Sequence, residues 1–335
     1  MVCVFGLWSL IFGFENMRLK LFFASFLISS LFGWGVNVFA QKLEDFFFWQ
    51  EINKNPQILT AQLNLEKKLE SLKPLRDRNV EDLELSAKSA ISVLIKSDGT
   101  SKILFEKDKN KKLPIASLTK LMTALVVLEN YELSKTVEIS REAAFLENEY
   151  GYGSLKIGEK FSVKDLLYFL LMESNNGAAF SLAEMAGEKE FVDLMNITAA
   201  DLDLEKTFFV NPTGLDPDNI FDLTNYSTAE DLVKQGSYLL KKQPLIWEIA
   251  GNLEFNLYLP DGVFYRQLKN TNELLKEIPQ VGGKTGWTPQ AQGCLLLAYK
   301  SPNRKDYLIN IILGSEDRFE DMKKLINWIK EGHKW

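Results

Sequence analysis

Apolar positions change rhythm twice along this chain: strand-like, then helical, then strand-like again. From Ser86 the run SAISVLIKSDGTSKILFEKDKN reads as two β-rich segments around Ser97-Asp98-Gly99-Thr100, and the Asp-Gly step predicts a hairpin. Helical spacing takes over at 117–130, Val163 to Leu171, Gly177 to Ala186, Glu188 to Ala200 and Thr228 to Leu240, the last with Ser227 as N-cap. Strand runs return at Cys294 to Tyr299 and Tyr307 to Leu313, and a helix from Arg318 to Glu331 closes the chain. Strands, then helices, then strands and a helix predict an α+β domain. Its first and last segments share one antiparallel sheet, with a helical cluster beside it. No internal repeat or low-complexity tract interrupts this order, and no second globular domain follows the closing helix.

Upstream, QILTAQLNLEKKLESLKPL carries Ile58, Leu59, Leu63, Leu65, Leu69 and Leu72 at helical spacing and stops at Pro74. It predicts a spacer or packing helix without chemistry of its own. Further upstream, Met17-Arg18-Leu19-Lys20 is a short basic start to an uncharged run, Leu21 to Ala40, ending Val38-Phe39-Ala40 before Gln41. This is the pattern of a secretory signal peptide cleaved after Ala40. Because the apolar run is long for a signal, an uncleaved membrane anchor is the other reading, with association through residues 21–40. The true start is Met1 or Met17, and either way the rest is exported to the periplasm or extracytoplasmic envelope. The organisation is therefore 1–40 signal or anchor, 41–85 helical spacer, and 86–335 the main folded domain.

Composition narrows the functional classes. Hydrophobic residues make up 46% and charged residues 25%, the balance of a globular protein, and the net charge of −6 comes with no basic block. Nucleic acid is therefore not an expected partner. Cys3 and Cys294 are the two cysteines and His333 the one histidine, so neither an intrachain disulfide nor a zinc site is expected. Cys294 reads as a core residue and His333 as a solvated terminal one. The aromatic run at 46–50 either packs on the domain or rests on a membrane surface.

Three short elements carry candidate chemistry. Ser117 and Lys120 stand three apart at the start of an apolar helix in LPIASLTKLMTALVVLEN, so they share a face. A serine hydroxyl needs a base, and without an available histidine Lys120 is the nearest one, provided its charge is suppressed by burial or another cation. Ser174-Asn175-Asn176 interrupts two apolar helical runs, either as a plain loop with an N-cap or as a buried polar cluster needing partners. Gly282-Gly283-Lys284-Thr285-Gly286-Trp287 precedes the strand at Cys294. Its lysine and threonine suit an anion such as a carboxylate. A phosphate loop is excluded, because the first glycine of that pattern would fall at position 278, which is Ile278.

Ser-x-x-Lys, Ser-x-Asn and Lys-Thr-Gly in this order form the pattern of penicillin-binding proteins and class A β-lactamases. The chain resembles the D-alanyl-D-alanine carboxypeptidases among the low-molecular-mass penicillin-binding proteins. The likeness extends through GSLKIGEKFSVKDLLYFLLMESNNGAAFSLAE, FFVNPTGLD, YSTAEDL and GGKTGWTPQAQGCLLLA, about residues 86 to 330. Departures are Asn175 where the family commonly has Gly, Gly177 where it has Asp, and Asn225 where a His often precedes Tyr-Ser-Thr-Ala. The extra β-domain and amphipathic C-terminal anchor of some relatives are not expected here.

The resemblance implies a β-lactamase/transpeptidase-like fold and a metal-free, cofactor-free D-Ala-D-Ala carboxypeptidase. In that scheme Ser117 attacks the carbonyl of the penultimate D-alanine, Lys120 takes its proton, and the charge of Lys284 keeps Lys120 neutral. Backbone N–H groups of Ser117 and Trp287 hold the oxyanion. Ser174 with Lys120 protonates the leaving D-alanine, Asn176 orients the substrate amide and Lys120, and Lys284 and Thr285, beside Gly286, bind the terminal carboxylate. The implied partners are peptidoglycan stem peptides ending in D-Ala-D-Ala, with β-lactams as covalent inhibitors. A D,D-endopeptidase would use the same residues. A β-lactamase lacks support, because FFVNPTGLDPDN offers no Glu-x-x-Leu-Asn, and a silent peptidoglycan-binding protein would retain the same groups only as a cradle.

Overall fold

The computed structural model describes residues 72–150, 155–219, 221–259, 262–278 and 282–335, with scattered positions between 42 and 68. Two compact units divide the chain, Met1–Lys73 and Pro74–Trp335. In the first, the described positions from 42 to 72 are helical apart from Asn55, and Phe46, Leu63 and Leu65 are exposed. Residues 1–40, where a signal or anchor is expected, and the rest of the aromatic run after Phe46, apart from Gln50, lie outside the described residues. Among the described residues no helix is long and apolar enough to cross a membrane.

The second unit begins earlier than the spacing suggests. Residues 74–85 fold with it, because Leu75 and Arg76 pair antiparallel with Lys334 and His333 at the other end of the unit. This pairing also corrects the reading of His333. Its ring is buried, lies edge-on to Trp328 at 5.4 Å and sits 3.2 Å from the Ile329 carbonyl. Burial pushes its imidazole below the ordinary histidine value.

Five strands form the central sheet: β1 (Ser89–Ile95), β2 (Ser101–Lys107), β5 (Gly282–Thr288), β6 (Gln292–Lys300) and β7 (Tyr307–Ser315); β3 (Glu254–Tyr258) and β4 (Phe264–Lys269) make a separate hairpin. Sheet order is β5-β6-β7-β1-β2, antiparallel throughout, so the first and last segments do share one sheet. The chain reverses between β1 and β2 at the Asp-Gly turn, where Lys96 N–H donates to Thr100 O at 2.8 Å.

Side chains alternate across the central strands with a period of two, so each face buries its own set. Ala90, Leu94, Leu295, Leu297, Leu308 and Ile312 pack with Met322, Leu325, Ile326 and Ile329 of helix α8 (Arg318–Glu331). Ile91, Val93, Leu296, Ile309 and Ile311 belong to the opposite core, with the helical cluster. That cluster is α1 (Lys120–Asn130), α2 (Arg141–Tyr150), α3 (Val163–Met172), α4 (Asn176–Glu184), α5 (Glu188–Asp201), α6 (Ala229–Lys242) and α7 (Pro244–Ala250). Each Leu or Ile buried fully between layers contributes about 1.5–3 kcal/mol, so this two-sided burial dominates the stability of the domain. The observed architecture is the expected α+β class. The N-cap of α6 is Thr228, whose hydroxyl accepts from Asp231 N–H at 3.1 Å, whereas Ser227 pairs with Leu113 and bonds Thr207 through its hydroxyl.

Asp321 fastens the α8 side. Its carboxylate accepts from the Ser86 and Ala87 backbone N–H groups and from the Ser86 and Ser315 hydroxyls, at 2.7 to 3.1 Å. Burial alone would raise this carboxyl, but the hydrogen bonds prevail and hold it below the usual aspartate value.

Candidate active site

The Ser-x-x-Lys element begins in strain. Pro114 pairs with Tyr226, Ile115 N–H donates to Asn225 O at 3.3 Å, and Ala116 turns through a positive φ of 47°. A left-handed alanine costs on the order of 1 kcal/mol, and such residues cluster where function needs a sharp redirection. One turn of 3-10 helix, Ala116–Thr119, then carries Ser117 into α1, whose first residue is Lys120.

Lys120 is fully buried. Its Nζ lies 2.9 Å from Ser117 Oγ, 2.8 Å from Asn176 Oδ1 and 2.7 Å from the Thr213 carbonyl oxygen. The last two oxygens only accept. A neutral amine that gives one N–H to each turns its lone pair toward Ser117 Oγ, the arrangement a general base requires.

The Ser-x-Asn element lies between α3 and α4. Ser174 adopts φ 61° and Asn175 caps α4 by accepting from Ala178 N–H at 2.7 Å, so the bland loop-and-cap reading is true of Asn175. Asn176 instead turns inward to Lys120. Glu173, immediately before, is gripped by Arg266 of β4 through its two terminal guanidinium nitrogens, Nη1 and Nη2, the Nη1 bond being 2.7 Å. This two-pronged pair anchors the residue next to the left-handed Ser174.

The Lys-Thr-Gly element is itself part of β5, not a loop ahead of the next strand. Its glycines hide the alternation that marks a strand, but pairing with β6 from Gly282↔Ala298 to Thr288↔Gln292 defines it. Lys284 is 1% exposed and donates to Ser174 Oγ at 2.7 Å and to Thr285 O at 2.9 Å. Burial first, then the charge that Lys120 carries whenever it is protonated, then that of Arg318, push its ammonium well below the ordinary lysine value, so the two buried lysines disfavour each other's charge. Thr285 Oγ1 and Thr271 Oγ1 are 2.6 Å apart, and Arg318 Nη1 donates to Gly286 O at 3.2 Å. Gly286 is glycine for a steric reason: a Cβ there would sit 3.1 Å from Ser117 N, in the space before the Ser117 amide. Trp287 is 59% exposed at the strand end.

The structure thus brings Ser117, Lys120, Ser174, Asn176, Lys284, Thr285 and Gly286 into one site, with Trp287 on its rim. Four contributors escaped the sequence reading: Thr213, Thr271, Arg318 and Asn225, the last noted only as a departure. Thr213 acts through its backbone carbonyl, which leaves no residue-type signal. The loop that carries it is close-packed on the serine turn. Asn211 Oδ1 accepts from Thr213 and Gly214 N–H, and Thr123 of α1 donates to Pro212 O at 2.7 Å. Among the described residues no cluster of His, Cys, Asp and Glu could hold a metal ion, and Cys294 is a buried core residue as expected.

An α+β fold that joins a helix-borne Ser–Lys pair to a Lys-Thr-Gly strand defines the class of penicillin-recognising serine hydrolases. The chain belongs to the D-alanyl-D-alanine carboxypeptidase family, peptidase S11, whose pattern matches residues 76–317. It is 34% identical over 256 residues to the D-alanyl-D-alanine carboxypeptidase DacF of Bacillus subtilis, covering 73% of this chain and 63% of that protein. It is 32% identical over 249 residues to the D-alanyl-D-alanine endopeptidase of Escherichia coli, covering 72% of this chain and 77% of that protein. Among solved structures, penicillin-binding protein D2 of Listeria monocytogenes in its cefotaxime-bound form superposes with a TM-score of 0.63 at 30% identity, over 75% of this chain and all (100%) of the other. The Streptomyces K15 DD-transpeptidase gives a TM-score of 0.66 at 27% identity, over 75% of this chain and 100% of the other.

Proposed function

We propose that this chain is a serine-type D-alanyl-D-alanine carboxypeptidase that removes the terminal D-alanine of peptidoglycan stem peptides. The observation that carries the reading is the Lys120 amine, held by two acceptor-only oxygens and 2.9 Å from Ser117 Oγ. Lys120 takes the Ser117 proton as Oγ attacks the carbonyl of the penultimate residue. The tetrahedral oxyanion meets the N–H groups of Ser117 and Trp287, preorganised donors whose loss costs about 10²–10³-fold in comparable sites.

Ser174 accepts from Lys284, which directs its own proton toward the leaving amine, and Lys120 replenishes it. Lys284 and Thr285 bind the substrate carboxylate. A buried lysine with lowered proton affinity gains its charge most readily when that carboxylate arrives. Water then hydrolyses the acyl-enzyme. β-Lactams present the same carboxylate and a reactive amide, so they acylate Ser117. The work is done outside the cytoplasm, with residues 21–40 as export signal or anchor.

A second reading, D,D-endopeptidase, is favoured by one observation: the endopeptidase of Escherichia coli is covered over 77% of its length, against 63% for the Bacillus carboxypeptidase. Fluorescent penicillin and residues 41–335 test the shared chemistry, with covalent labelling expected for wild type and none for Ser117→Ala. An unlabelled, folded wild type would sink it. Release of D-alanine from a D-Ala-D-Ala pentapeptide, against cleavage of a crosslinked dimer, then separates the two readings.

A further inference from the structure

Asn225 lies outside the three motifs and is 1% exposed. Its side chain faces two parts of the site at once. Nδ2 donates to Thr119 Oγ1 at 2.9 Å, within the turn that carries Ser117 to Lys120. The same nitrogen donates to Asn211 O at 2.9 Å. Oδ1 accepts from Val210 N–H at 2.7 Å and Asn211 N–H at 3.2 Å. Its backbone carbonyl also receives the Ile115 N–H, just ahead of the left-handed Ala116.

The segment so gripped is the one whose Thr213 carbonyl accepts from Lys120 Nζ at 2.7 Å. Asn211 continues the chain of contacts, since its Oδ1 fixes Thr213 N–H at 3.1 Å and its Nδ2 donates to Leu215 O at 3.1 Å. Gly214 then packs so closely on the Ala116 carbonyl that it leaves no room for a Cβ. One buried amide therefore sets the spacing between the serine turn and the carbonyl that orients the lysine.

From this juxtaposition we infer that Asn225 is a positioning residue for acylation: it keeps the Thr213 carbonyl in register with Lys120, so that the Lys120 lone pair faces Ser117 Oγ. It touches neither substrate nor reacting atoms. The inference rests on the Ser117–Lys120 reading above and assigns that pair a support of its own. A planar amide suits the task because it donates and accepts along opposite edges, which an alanine or an aliphatic isostere cannot do. The geometric tolerance is small, since a misplacement of about 1 Å outside the chemistry can cost about 100-fold in rate.

The test separates the acylation step from reversible binding by saturation kinetics with a fluorescent penicillin, on wild type, Asn225→Ala, Thr119→Val and Thr119→Ser. Thr119→Val removes only the hydroxyl that Asn225 meets and keeps the shape of the buried side chain, so it reports even where Asn225→Ala folds poorly. The remote variant Ser86→Ala, which loosens the Asp321 cluster, controls for stability loss alone. We expect the acylation rate constant to fall about 10- to 100-fold in Asn225→Ala and about 10-fold in Thr119→Val, at unchanged reversible affinity. Thr119→Ser returns it to within about twofold, and Ser86→Ala leaves it at the wild-type value. Wild-type acylation rates in folded Asn225→Ala and Thr119→Val would overturn the inference while leaving Ser117 and Lys120 untouched. So would a loss shared equally by rate and affinity and matched by Ser86→Ala. A wild type that does not acylate at all would instead overturn the underlying reading, and this inference with it.

Discussion

Gly214 lies so close to Ala116 that a Cβ built on it would come within 2.0 Å of the Ala116 carbonyl oxygen and 3.0 Å of Ser117 N. Its φ of +84° is itself a conformation that side-chain-bearing residues rarely adopt. The two positive-φ residues, Gly214 and Ala116, thus pack main chain against main chain next to Ser117.

Gly214→Ala should therefore combine backbone strain with a clash against main-chain atoms that have nowhere to go. The expected loss of stability is about 2 kcal/mol or more, with acylation slowed about 100-fold because the Ser117 turn must shift. Thermal unfolding and penicillin labelling rates measure the two effects. A variant with wild-type Tm and labelling would refute the close packing of this loop on the serine turn.

Lys284 leads to a prediction about pH. Its ammonium titrates below the ordinary 10.5, chiefly because of burial. In the window between its lowered folded value and 10.5, the unfolded chain holds a proton that the folded protein has released, so stability rises with pH across that window. Lys284→Met removes this contribution. The variant should match or exceed wild-type stability at neutral pH, lose the alkaline gain relative to wild type, and acylate at least about 100-fold more slowly. Tm measured from pH 6 to about 10 in both proteins gives the comparison. Parallel pH curves would mean that Lys284 is not held in the uncharged form by its surroundings.

Asp321 titrates in the opposite sense. Its folded value lies below 3.8, so the stability it contributes is fully present above the unfolded value and is lost as pH falls through the folded one. Asp321→Asn should cost about 1.5–3 kcal/mol at neutral pH, the worth of hydrogen bonds to a charged acceptor, and flatten the acid limb below about pH 4. Acid titration of the unfolding midpoint checks both, and an unchanged acid limb would deny the carboxylate this role.

Much of this was legible in the chain, for reasons that differ by element. Apolar runs such as Cys294 to Tyr299 and Tyr307 to Leu313 fix the central strands, because both faces of the sheet are covered. The hairpin of β3 and β4 gives no such signal, since Leu257 and Leu268 are its buried positions and the rest is half-exposed or exposed. Ser117, Lys120, Ser174, Asn176 and Lys284 announce themselves by type and spacing. Thr213 cannot, because any residue carries a carbonyl, and only the folded loop aims it. His333 was misread because terminal position suggests solvent, whereas the pairing of Arg76 with His333 folds the end back under Trp328.

The contacts around the two lysines join residues far apart in the sequence: 56 positions for Lys120–Asn176, 93 for Lys120–Thr213 and 110 for Lys284–Ser174. Such distant pairings are costly to form early and come together late in folding. The Ser117–Lys120 contact is local, but among the described residues no single helix or hairpin joins that pair to Asn176, Thr213 or Lys284. Reaction with penicillin therefore doubles as a stringent folding probe: a molecule that acylates has already closed the loops that join its three motifs, and refolding followed by labelling will lag behind refolding followed by helical signal.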